Sequence, residues 1–142
     1  MICHSSTRGV LAAALLFLVH GPALSADTFP FDRELLLDAT PMRPGKRMPI
    51  LTVEENGTAR LDLWCRTVPA RVEISDMAIR IEPGPLPEDL PAMQSAGQCT
   101  PERIKADEEI LAAFSHVTGW RRQGEAIVLE GAATLKFRAS DH

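Results

Sequence analysis

Tyrosine is absent from this 142-residue chain, and the aromatic complement is two tryptophans and five phenylalanines. A base-stacking surface or an aromatic sugar platform needs more planar rings than that. Basic residues are also outnumbered: 15 Lys and Arg stand against 19 Asp and Glu, for a net charge of −4. This mildly acidic balance argues against nucleic acid as a partner, because proteins that bind it present basic stripes. No G-x-S-x-G elbow, Gly-rich phosphate loop or H-E-x-x-H pair occurs. No catalytic residues, metal ligands or cofactors are therefore expected, and the chain reads as a non-enzyme.

The longest uncharged stretch with strong apolar character is Val10 to Val19, "VLAAALLFLV". It is about half the roughly 20 residues that a membrane span requires. Arg8 precedes it, and "GPALSAD" follows with small residues at the end. A basic start, a short apolar run and a small-residue cleavage site form the layout of a secretory signal peptide. The expectation is an exported chain, periplasmic or secreted, cleaved near Ser25 or Ala26 and with no transmembrane span in its mature part. Residues 1–26 are then signal peptide, 27–48 an extended N-terminal segment of the domain, and 49–142 the main body of that domain. Loss of Arg8 takes the net charge from −4 to −5.

Cysteine is scarce as well. Cys3 leaves with the signal, so Cys65 and Cys99 remain. Cys99 sits just before a helix start and has three readings: a reactive thiol, a metal ligand, or half of a cross-link. A thiol of the first kind needs a base. His116 lies at the far end of the same helix, about 25 Å away at 1.5 Å per residue. Two cysteines and two scattered histidines lack the close spacing of a zinc site. An even count in an exported chain favours a Cys65–Cys99 disulfide. A loop of that length corresponds to about 3–4 kcal/mol in the chain-entropy model.

Periodicity outlines the domain. "ELLLDA" between Pro30 and Pro41 reads as a strand. "MPILTVEENGTARLDLWC" reads as a β-hairpin turning at Asn56-Gly57, a dipeptide that tolerates positive φ. "VPARVEIS" and "MAIRIE" alternate apolar and polar residues, with a turn at Ser75-Asp76. The stretch 83–98, "PGPLPEDLPAMQSAGQ", loses all periodicity and reads as a long loop. Thr100-Pro101-Glu102 supplies a capping hydroxyl, a proline for the first turn and an acid beside it. The helix that follows is expected to bury Ile104, Ile110, Leu111, Phe114 and Val117 and to end at Ser115–Thr118, with Gly119 past its end. Asp107, Glu108 and Glu109 are assigned to its solvated face. Three strands follow, with turns at Gly124-Glu125 and beyond Gly131. The fold class expected is α+β: a small, curled, barrel-like antiparallel sheet with one helix packed across it. A cleft between helix and sheet is a candidate ligand site, lined by Leu63, Trp64, Ile79, Leu111, Phe114, Trp120 and Leu129. Core packing explains the same residues and is the favoured reading, because a domain this small needs them to fold.

The second half carries a resemblance. Cys99 in "GQCTPER", the helix and strand start in "ADEEILAAFSHVTGW", and the closing hairpin "GEAIVLEGAATLKF" resemble the META domain, the HslJ-like family of bacterial envelope proteins. Cys65 in "LWCRT" stands where that family has its first cysteine, although Trp64 and Arg66 replace its flanking glycine and asparagine. The resemblance spans about Pro49 to Arg138. It implies a curled antiparallel sheet with one helix, no agreed enzymatic activity, and links to envelope stress. The function expected is an exported, non-enzymatic module for a hydrophobic ligand or a peptide, with a lipid, a peptide or an envelope protein as the partner. The alternative is a small inhibitor of a hydrolase that acts through the Pro-rich loop 83–98.

Overall fold

The computed structural model describes residues 28–88, 97 and 99–140. The expected signal peptide and most of the expected Pro-rich loop lie outside those residues. Eight strands run in order: β1 Glu34–Leu37, β2 Ile50–Val53, β3 Thr58–Asp62, β4 Thr67–Ser75, β5 Ala78–Pro83, β6 Val117–Gln123, β7 Ala126–Gly131 and β8 Thr134–Ala139. Among the described residues one helix, α1 (Pro101–Ser115), connects β5 to β6. Every strand pairs antiparallel with its sequence neighbours, and β1 pairs with β8 to close a barrel. The curled sheet expected from the sequence is thus a closed eight-stranded barrel. The described architecture is mostly β, with α1 added between β5 and β6.

Alternation writes the barrel into the strands. Successive side chains on a strand point to opposite faces. In β1, β3 and β5 each buried residue is accordingly flanked by exposed or half-exposed ones. Leu35, Leu51, Leu61, Val68, Ile81, Leu129 and Phe137 meet inside as one core. Strand β7 departs from this pattern: Ala126 to Leu129 are all buried. Val128 points outward, yet the cross-strand neighbours Arg121 and Lys136 flank it on that face. Their aliphatic stems can cover it while their charges stay wet.

One end of the barrel is closed by the N-terminal segment. The Thr28 carbonyl accepts from Arg122 of β6 at 2.9 Å, and the Asp32 N–H donates to Val53 of β2 at 2.8 Å. These strands lie on opposite sides of the barrel, so the segment between them crosses its mouth. Phe29 is buried there, edge-on to Trp120 with ring centroids 5.3 Å apart. At the other end, α1 places Phe114 against Phe137 of β8, centroids 6.0 Å apart.

The turns differ in detail from their sequence signals. The β2–β3 connection is a Glu54–Gly57 turn, closed by the Gly57 N–H to the Glu54 carbonyl at 3.0 Å. Only Gly57 has positive φ (86°). Asn56 acts through its side chain instead, accepting from the Thr58 N–H at 2.8 Å. The β4–β5 turn is Asp76-Met77, one residue later than expected, because Ser75 pairs with Ala78. Gly119 lies inside β6, where the register shifts between Val117 and Gly119, and it is not a helix terminator. The helix ends at Ser115 with His116 as its cap, and the strand begins at once.

That abrupt helix-to-strand switch constrains Gly131 on the neighbouring strand. A Cβ there would overlap the His116 carbonyl and lie 2.8 Å from the Val117 Cα. Both obstacles are backbone and cannot swing aside. Gly131→Ala is expected to lower stability by about 1–3 kcal/mol, the range for forced overpacking. Urea unfolding midpoints check this, and a midpoint equal to that of the parent protein would contradict the close approach.

Candidate functional site

The corner between β3 and β4, Leu63–Arg66, organises the helix end of the barrel. It is closed by the Leu63 N–H to the Arg66 carbonyl at 2.7 Å. The tightness leaves the Cys65 and Arg66 amides pointing out of the turn. Both donate to the carboxylate of Asp107, Cys65 N to Oδ1 at 3.0 Å and Arg66 N to Oδ2 at 3.0 Å. The Arg66 guanidinium approaches the same oxygen, Nε to Oδ2 at 3.1 Å, and its Nη2 donates to the Ile104 carbonyl at 3.1 Å. Arg103 Nη2 donates to the Trp64 carbonyl at 2.9 Å. The Cys65–Cys99 disulfide joins the same corner to the residue before the helix cap, with Cα atoms 5.8 Å apart. Thr100 caps the helix by accepting from the Arg103 N–H at 3.3 Å.

This geometry corrects two expectations. Asp107 is not on the solvated face; its exposure is 0%. The buried face of α1 is Arg103, Asp107, Ile110 and Phe114, at spacings of four, three and four. Ile104 and Leu111 are only half-buried. A pattern read by polarity places Arg and Asp outside. Here Asp107 is buried against two backbone amides and the Arg66 guanidinium, and Arg103 against the Trp64 carbonyl. The available signal was positional: Cys65 brings Arg66 to the first turns of the helix, and Asp107 shares a face with Phe114.

The candidate cleft residues are brought together, but chiefly as barrel core. Leu63, Trp64, Ile79, Phe114, Trp120 and Leu129 belong to the buried cluster, and Leu111 packs half-exposed against it. Trp64 differs from the others in also facing two openings. The first is a mainly apolar groove of about 470 Å³ along one flank of α1, lined by Leu37, Met42, Trp64, Ala106, Ile110, Ala113 and Leu135 together with Thr40, Glu102 and Glu109. The second is a cleft of about 150 Å³ lined by Gly45, Lys46, Arg47, Trp64, Arg103 and the disulfide. Ile79 lines a third opening of about 380 Å³ at the seam where β5 meets β6. That seam exists because β5 and β6 share a single paired position, Ala78 with Gly119.

The alternative site, the Pro-rich loop, falls largely on residues 89–96 and 98, outside those described. Among the described residues no group of three or more His, Cys, Asp or Glu could hold a metal ion, and no helix is long and apolar enough to cross a membrane. No protein-family model, curated protein or solved structure matches the chain.

Asp107→Ala is expected to cost about 3–5 kcal/mol, because it leaves the Arg66 charge and two amides buried without their acceptor. Asp107→Ala combined with Arg66→Met should recover part of that loss. Chemical denaturation of the single and double variants checks both. Additive losses would show that the two groups do not act as a pair.

Proposed function

We propose that the protein is an exported, non-enzymatic binding module of the META/HslJ-like kind, which holds a hydrophobic single-chain ligand in the groove beside α1. One observation carries the reading. Trp64, Leu37, Met42, Ile110 and Leu135 line an open surface groove of about 470 Å³ beside α1, larger than the opening of about 380 Å³ at the β5–β6 seam. Small-molecule sites commonly have this size and apolar lining. On one side the groove is bounded by Leu37 of β1, Leu135 of β8 and the β1–β2 connection, and on the other by a helix fixed by a disulfide and a buried ion pair. Preformed walls reduce the ordering cost of binding. Ala106 and Ala113 keep the helix flank low, so a chain can lie against it.

Export fits the disulfide, which persists in oxidising compartments. The interior of the barrel is packed with its own side chains, so the ligand is assigned to the outer groove and not to the lumen.

The two indole N–H groups allow a direct test by nuclear magnetic resonance. Titration with dodecanol should shift the Trp64 indole signal and leave that of Trp120, which donates to the Asp76 carbonyl at 2.8 Å. Ala106→Phe should fill the groove and remove the response with little change in melting temperature. A Trp64 signal indifferent to every apolar chain would end this reading.

A further inference from the structure

The disulfide borders a surface opening, and its two ends are not equivalent. Cys65 and Cys99 both line the cleft of about 150 Å³ beside Trp64, so the bond is not sealed within the barrel. Cys65 is 2% exposed, whereas Cys99 is half-buried. Thiol–disulfide exchange begins when an incoming thiolate reaches one sulfur and displaces the other, so access decides which is attacked. In this corner the sulfur within reach is that of Cys99, and the one displaced is that of Cys65.

Contacts that do not depend on the bond hold both ends in place. Asp107 accepts the Cys65 and Arg66 amides, and Arg66 Nη2 donates to the Ile104 carbonyl of α1. Thr100, the neighbour of Cys99, caps the same helix through the Arg103 N–H. Opening the bond therefore leaves the two thiols on anchored backbone, poised to close again.

We propose that Cys65–Cys99 is a reversible exchange site, opened by an external dithiol while the protein stays folded. One thiolate of the dithiol bonds to Cys99 Sγ, the Cys65–Cys99 bond breaks, and Cys65 leaves as a thiolate that takes a proton from water. The second thiolate of the dithiol then attacks its partner sulfur in the mixed disulfide and releases Cys99 as a thiolate, protonated in turn. The dithiol loses two electrons and becomes a disulfide, and the protein gains them as two thiols. An oxidised partner of the same class runs the steps backwards.

The test follows reduction by dithiothreitol, counting thiols by mass after alkylation while the two indole signals report the fold. The rate should rise linearly with dithiothreitol and change by less than about twofold in urea too dilute to unfold the protein. A rate that plateaus with dithiothreitol and climbs steeply with urea would overturn the proposal, because only opened chains would then react. Cys65→Ser and Cys99→Ser each leave one thiol. Toward an aromatic disulfide reagent, Cys99 should react at least about tenfold faster than Cys65 in the folded variants, and the two rates should converge in concentrated urea. Equal rates before unfolding would overturn the assignment of Cys99. Acid-quenched reaction of the parent protein with glutathione needs no substitution: an adduct mapped to Cys99 supports the assignment, and one mapped to Cys65 overturns it.

Discussion

The carboxylate of Asp107 is the point on which the helix end of this protein turns. It accepts the Cys65 and Arg66 amides and the Arg66 guanidinium while fully buried. A buried ion pair of this kind adds little net stability, because desolvation offsets most of the attraction. Its effect is on placement. If α1 rotated by one residue, a buried carboxylate and a buried guanidinium would lose each other, at a cost far above that of a surface ion pair. The helix is therefore held in one rotational phase. The disulfide limits how far its first turn can move, and Phe114 on Phe137 seats its last turn in the core.

That phase decides what the rest of the molecule offers to a partner. With Arg103, Asp107, Ile110 and Phe114 turned inward, Ala106 and Ala113 face the rim near Leu37 and Leu135. Small residues at this position leave a groove where larger ones would have packed. The corner that clamps the helix also presents Trp64, so the stabilising device and the proposed ligand wall are the same few residues. The barrel beneath serves as a rigid mount: a meander closed by β1 on β8, plugged by Phe29 at one end and by the helix at the other. Its weak point is the β5–β6 seam, where a single paired position bridges the strands, and α1 is the connection that spans it.

Much of this scaffold was legible in the sequence, and the reasons are local. Alternation in "ARLDL" and "VPARVEIS" marks strands because period two is a direct consequence of backbone geometry. Thr100-Pro101 marks a helix start because capping chemistry acts over three residues. Two cysteines in a chain expected to be exported mark a disulfide because only compartment and parity enter. What escaped depends on distance along the chain. Barrel closure joins Leu35 to Ala139, and nothing in "ELLL" names its partner. The burial of Asp107 depends on Arg66, forty-one positions away, and polarity alone points to solvent. The candidate cleft was only partly legible for the same reason. Trp64 was identified, but the groove is made by Met42, Ala106, Ala113 and Leu135, which are unremarkable until the fold brings them together. The cationic residues beside it belong to a turn, "RPGKR", and to a helix face that reads as exposed.

Asp107, and not the disulfide alone, holds the corner to the helix. Hydrogen exchange of the Cys65 and Arg66 backbone amides in the reduced protein tests it most directly, because reduction removes the cross-link and leaves the carboxylate in place. Both amides are expected to stay among the slowly exchanging set after reduction, with protection comparable to the core strands. Exchange at the rate of an open loop once the disulfide is reduced would contradict it, and would make the Asp107 contacts a consequence of the cross-link and not its partner in positioning the helix.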